Sequence, residues 1–154
     1  QLRSIYDVLQ FRFNYKTSTI MATSKVTYLG DLRTSSIHLA SGSEIISDAP
    51  IDNNGKGEAF SPTDTVANAL ASCMFTVMGI KARDLEVDFS NSTAEVTKVM
   101  GTEPRRITEI HVTFNMNVSV SDKDRIILER TAMTCPVFNS LHPDIKKEVV
   151  FNWK

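Results

Sequence analysis

Two cysteines carry the most reactive chemistry in this 154-residue chain. Cys73 lies in the apolar run ALASCMFTVM, and Cys135 stands directly before Pro136. A thiolate is a strong nucleophile where the thiol is a poor one. A pair of such groups can attack an electrophile with one sulfur and discharge it by forming a disulfide with the other. The same two residues also fit a plainer role as inert thiols, because free cysteine is among the most buried residue types. Metal chemistry finds little support. His38, His111 and His142 show no H-x-x-x-H spacing, and a site built from His142, Cys135 and an acid matches no recognised ligand motif. No metal or cofactor is expected.

The elements that must position these thiols are legible. SPTDTVANALASCMFTVMGIKARDL reads as a long helix. Ser61 is a good N-cap, Pro62 suits the first helical position, and Asp64 completes a capping box. Val66, Ala69, Leu70, Cys73, Val77 and Ile80 recur at helical steps, with Ala67, Met74 and Met78 beside them. A helix apolar over so much of its circumference is buried. Met74, Phe75 and Met78 are core residues or the lining of an apolar pocket. Further on, Pro136 must stop or kink the helix that Ser121 caps. A short third helix then starts with Cys135 as its N-cap, where the dipole favours a thiolate and makes Cys135 the more acidic thiol.

Around these helices the chain alternates in strand fashion. KVTYLGD, RTSSIHLA and EIISD form a small meander with turns at Gly30-Asp31 and Ser41-Gly42. Residues 51–60 form a polar loop. Residues 86–99 and 107–120 read as strands. In the second of these, Ile110, Val112, Phe114, Met116 and Val118 share one face. EVVFNW closes the chain as a last strand. The order implies an α+β fold with antiparallel sheets packed on helices. A Met at 21 marks residues 1–20 as an N-terminal extension to a domain spanning 21–154, and the alternation of Phe11, Phe13 and Tyr15 there suits an edge strand or a partner contact.

Composition narrows the function. With 17 basic and 18 acidic residues and no charge block, nothing calls for nucleic acid or an anionic membrane. No apolar run reaches the roughly 20 residues of a membrane span, and the first residues lack an export signal. A cytoplasmic location is expected, and there two cysteines do not imply a structural disulfide.

Three segments in this order resemble a known family. SPTDTVANALASCMFTVMGIKARDL is similar to the helix signature of the OsmC family, S-P-x-[ED]-x(8)-C. CPVFNSLHPDIKKEVVFNW resembles its second signature, and YLGDLRTSSIHLASGSEIISDAP looks like the meander that precedes the helix. The family includes organic hydroperoxide resistance proteins and osmotically inducible proteins. The resemblance implies an intertwined homodimer with long helices at its centre and active sites at the subunit interface. It implies thiol-dependent reduction of organic hydroperoxides, and of hydrogen peroxide less well. Cys73 would attack the peroxide, Cys135 would resolve the sulfenic acid, and a lipoyl-type or other dithiol would reduce the disulfide. Arg33 from the meander and a carboxylate at the helix start would hold the thiolate. Peroxidases of the family place Glu directly after the motif Pro, where this chain has Thr63 and then Asp64.

Physical chemistry gives each role a reason and an alternative. Burial raises a thiol's pKa, so Cys73 needs a cation, and Arg33 is always charged and able to fork to two acceptors. Arg33 also fits as a solvated strand residue. The capping box alone accounts for Asp64, and nine residues at about 100° each turn it roughly opposite Cys73. Two other functions fit the same fold: a non-enzymatic binder of a small apolar ligand, and a different thiol-based reductase.

Overall fold

The structure is a computed structural model that describes residues 21–154. The expected extension at 1–20, with its alternating aromatics, lies outside the described residues. The meander forms as its turn signals require. Strands β1 (Ser24–Gly30), β2 (Arg33–His38) and β3 (Glu44–Asp48) pair antiparallel in that order. Gly30, at φ +88°, begins the tight reversal between β1 and β2, a conformation that glycine adopts without steric cost. A 3-10 turn at Ile51–Asn53 interrupts the loop that follows.

Ser61 and Pro62 fix where the long helix α1 (Pro62–Asp84) begins. The Ser61 hydroxyl accepts the Asp64 amide at 3.1 Å, and the Asp64 carboxylate accepts the Ser61 amide at 2.8 Å. Both orphan donors of the first turn are met by side chains a few residues away. Ser61 is itself buried. Ser61→Ala is expected to lower stability by about 1 kcal/mol, the usual worth of such a cap, measured as a fall in the urea midpoint.

The buried stripe of α1 is not the one its periodicity predicts. Ala67, Leu70, Ala71, Met74, Met78 and Ala82 are buried, whereas Val66 is 41% and Ile80 61% exposed. A helix apolar on several sides does not announce which side its own chain will cover. Here α1 packs against strands β4 (Thr93–Thr102) and β5 (Arg105–Met116) and against helices α2 (Asp122–Ala132) and α3 (Pro136–Ser140). By length and hydropathy α1 could cross a bilayer, and this fold uses that apolarity for its core. Leu70, Met74 and Met78 meet Ile110, Val112 and Phe114 of β5 and Leu128 of α2.

The second sheet runs β4-β5-β6, with β6 at Lys146–Trp153. Two details depart from expectation. First, β4 begins at Thr93, not near 86. Glu86 and Asn91 hold positive φ, and the Asp88 carboxylate accepts the Ser90 amide at 2.8 Å, so residues 86–92 turn before they extend. Second, β6 runs parallel to β5. Helices α2 and α3 carry the chain from one end of β5 back to the other, and such a crossover delivers a parallel strand. The α+β class stands, with this one parallel pairing inside it.

The first sheet stands apart. Among the described residues, no other element packs extensively on it. Val26 and Tyr28 are exposed on one face at 62% and 65%, and Ile46 on the other at 40%.

Candidate functional site

Helix α3 is only five residues long, yet it sets the position of one thiol. Helix α2 ends at Ala132, and the Cys135 amide donates back to the Ala132 carbonyl at 3.2 Å. Pro136 then starts α3 with Cys135 as its N-cap, and the Cys135 Sγ accepts the Phe138 amide at 3.2 Å. Because α3 packs against α1, Cys135 comes to lie near Cys73, close enough for the two thiols to influence each other's ionisation. Both thiols are free. Cys135 is fully buried and Cys73 half-buried, so the two differ in what can reach them.

Burial pushes the Cys135 thiol above its ordinary value; the Phe138 amide works against that rise, and the neighbouring Cys73 adds to it. This runs against the expectation that the start of α3 favours the Cys135 thiolate. One amide at the start of a five-residue helix is a weak counterweight to complete removal from water.

Arg33 and Asp64 are not brought together. The Arg33 Nη2 donates to Asp48 Oδ2 at 3.0 Å and to Glu58 Oε2 at 2.5 Å. Asp64 serves its capping box and pairs with Lys98, Nζ to Oδ1, at 2.5 Å. The Asp64 carboxyl lies below the usual range: burial works to raise it, and hydrogen bonds from Lys98 and Ser61 win. Asp48 is held down chiefly by Arg33 and then by the Glu58 amide. The carboxylate that meets Arg33 is therefore not the one the helix motif suggests.

These depressed carboxyls give a pH prediction. A group whose folded pKa lies below its unfolded value adds stability above the unfolded value, near 3.9 for Asp, and that stability is lost as pH falls through the folded pKa. Stability is expected to decline as pH drops below about 4. Asp64→Asn should flatten part of that decline, as read from thermal midpoints across pH 2 to 6.

The pocket question also resolves by residue. Met74 and Met78 are fully buried core. Phe75 instead borders an open cavity of about 560 Å³ with Gly79, Ile80 and Phe89. A second cavity of about 540 Å³ lies between Phe60, Asp64, Asn68, Val96 and Lys98.

Sequence reasoning missed Asp48, Glu58 and Lys98. Asp48 had a signal. It stands as far after the midpoint between Ala40 and Ser41 as Arg33 stands before it, so the hairpin register makes them partners. Glu58 and Lys98 lie on a loop and a distant strand, and no local pattern marks them.

Comparison with known proteins gives a consistent set of relatives. The family model described as OsmC-like protein matches residues 55–150. A crystal structure from Psychrobacter arcticus, described provisionally as an osmotic stress induced and detoxification response protein, is 60% identical, covers 86% of this chain and 96% of its own, and superposes with a TM-score of 0.84. An OsmC-like protein from Mycoplasma pneumoniae shares the fold at 17% identity and TM-score 0.71, over 84% of this chain and 94% of its own. So does a Legionella pneumophila organic hydroperoxide resistance protein, at 13% identity and TM-score 0.64, over 86% and 98%. Among curated proteins none matches.

Proposed function

The chain belongs to the OsmC-like protein family, and on that premise we propose that it is a thiol-dependent peroxidase, reducing organic hydroperoxides, and hydrogen peroxide less well, through Cys73 and Cys135. One observation carries the reading: two free thiols from distant parts of the chain come near enough to influence each other's ionisation, one half-buried and one sealed. Core packing alone gives no reason for the only two cysteines of the chain to meet. Relatives of the same fold whose descriptions name organic hydroperoxide resistance favour that substrate class.

Exposure divides the roles. Cys73 is the thiol a peroxide can reach. Its thiolate attacks one peroxide oxygen, the O–O bond breaks, and an S–O bond forms. The departing alkoxide takes a proton and leaves as the alcohol, and Cys73 becomes a sulfenic acid. The Cys135 sulfur then attacks the Cys73 sulfur. The S–O bond breaks, water leaves, and a disulfide joins α1 to α3. An external dithiol of lipoyl type restores both thiols by exchange and ends as a disulfide itself. Cys135 suits the second step. Its raised pKa keeps it protonated and unreactive until a sulfenic acid forms beside it.

The working unit in this reading is a homodimer. Val66 and Ile80 on α1, and apolar side chains on both faces of β1–β3, are left uncovered by the described elements. A second copy would cover them and bring its Arg33 to the Cys73 thiolate, supplying the cation a half-buried thiolate needs. Sedimentation should give twice the mass of the chain.

The deciding experiment mixes reduced protein with cumene hydroperoxide, then with hydrogen peroxide, and counts free thiols against time. Loss of both thiols, faster with the organic peroxide, is expected. Survival of both thiols in excess peroxide would end the peroxidase reading.

A further inference from the structure

Arg33 and Asp48 are register partners at the end of the β2–β3 ladder and point to one face of the sheet. The Asp48 side chain is fully buried. Its Oδ2 accepts from the Arg33 Nη2 and from the Glu58 amide, at 3.0 and 3.1 Å. Glu58, far more exposed, takes the same Arg33 nitrogen. Both ion pairs therefore use Nη2 alone, and among the described residues neither the buried Nε nor the buried Asp48 Oδ1 has a hydrogen-bond partner. A guanidinium presents five donors in a rigid fork. Fixed at one nitrogen by two carboxylates, it is set in orientation with donors left over for a third acceptor. A clamp meant only to join two strands would use the fork bidentately, the stronger arrangement.

We propose that Asp48 is the positioning residue of the site, holding Arg33 so that its unused donors meet the Cys73 thiolate, the role the helix motif suggests for Asp64. This rests on the peroxidase reading above, and in particular on Arg33 serving the thiolate. The backbone supports the assignment. The Asp48 amide donates to the Phe60 carbonyl, and the Asp48 carboxylate accepts the Glu58 amide. One residue thus ties Arg33, the β3 end and the segment entering α1 into a single unit. Asp64 is already engaged by Ser61 and Lys98.

The test uses a Cys135→Ala chain, in which Cys73 is the one thiol, and follows its alkylation by iodoacetamide against pH. Arg33→Gln should raise the midpoint by about one unit, since loss of an opposite charge near an ionised group shifts it by one to three. Asp48→Asn should raise it by a similar amount, and the double variant by no more than either alone. Asp48→Glu, which keeps the charge, should restore most of the original midpoint; it also serves if the Asn variant melts early. A merely structural or charge-neutralising Asp48 predicts the opposite sign, because removing an anion leaves Arg33 a freer cation. An unchanged or lowered midpoint in Asp48→Asn, with Arg33→Gln raised, overturns the assignment alone. An equal rise in Asp64→Asn without one in Asp48→Asn would return the role to Asp64. If Arg33→Gln leaves the midpoint in place, the Arg33 role falls and this inference with it, while peroxide-driven thiol loss is judged separately in the unmodified chain.

Discussion

Replacing Cys73 with Ser is expected to abolish peroxide-driven thiol loss, slowing it by on the order of a thousandfold or more, because a hydroxyl offers no thiolate-like nucleophile at neutral pH. The remaining thiol, Cys135, cannot substitute. It is fully buried and its pKa is raised by that burial, so neither access nor ionisation favours attack. The reciprocal variant separates the two steps. Cys135→Ser should react once, at close to the original rate, and stop as a sulfenic acid that dimedone traps. Stopped-flow peroxide consumption with mass spectrometry reads both results. Equal first-step rates in the two single variants would remove the division of roles drawn from exposure.

Phe114→Ala should lower stability by about 3–5 kcal/mol, the range for deleting a buried aromatic. Phe114 is completely buried on β5. Its ring meets Phe75 of α1 edge-on at 4.7 Å and stacks on Phe151 of β6 at 4.9 Å. One side chain thus joins α1 to two strands of the second sheet, and aromatic pairs add to what burial alone contributes. A loss of this size removes much of an ordinary domain's margin, about 5–15 kcal/mol. Guanidinium denaturation of the reduced protein measures it. A change under about 1 kcal/mol would mean that the three rings do not form one packed unit.

Features set by neighbours in sequence were readable in advance. The start of α1 follows from Ser61, Pro62 and Asp64, and the start of α3 from Cys135 and Pro136. The three strands of the meander follow from their turns. Features set by distant partners were not readable. Val66 and Ile80 are as apolar as Leu70 and Met74, and only the tertiary arrangement decides which pair faces the sheet. The parallel course of β6 depends on where α2 and α3 deposit the chain. In the candidate site, the two thiols drew attention by their type and setting, and the family resemblance singled out Arg33. It chose the nearest carboxylate in the motif over the one that β-register delivers, since Asp48 becomes visible only once the hairpin is paired.

The placement of the thiols at α1 and α3 also bears on endurance. Between Cys73 and Cys135 the chain lays down β4, β5 and α2, which hold much of the core. A covalent bond across that gap would close a ring of about sixty residues, and the chain-entropy model values such a ring at about 4 kcal/mol by restricting the unfolded ensemble. The oxidised protein would be the harder one to melt. Each reduction by a dithiol would then soften the molecule as well as rearm it, and a calorimetric trace would report redox state without any reagent for thiols.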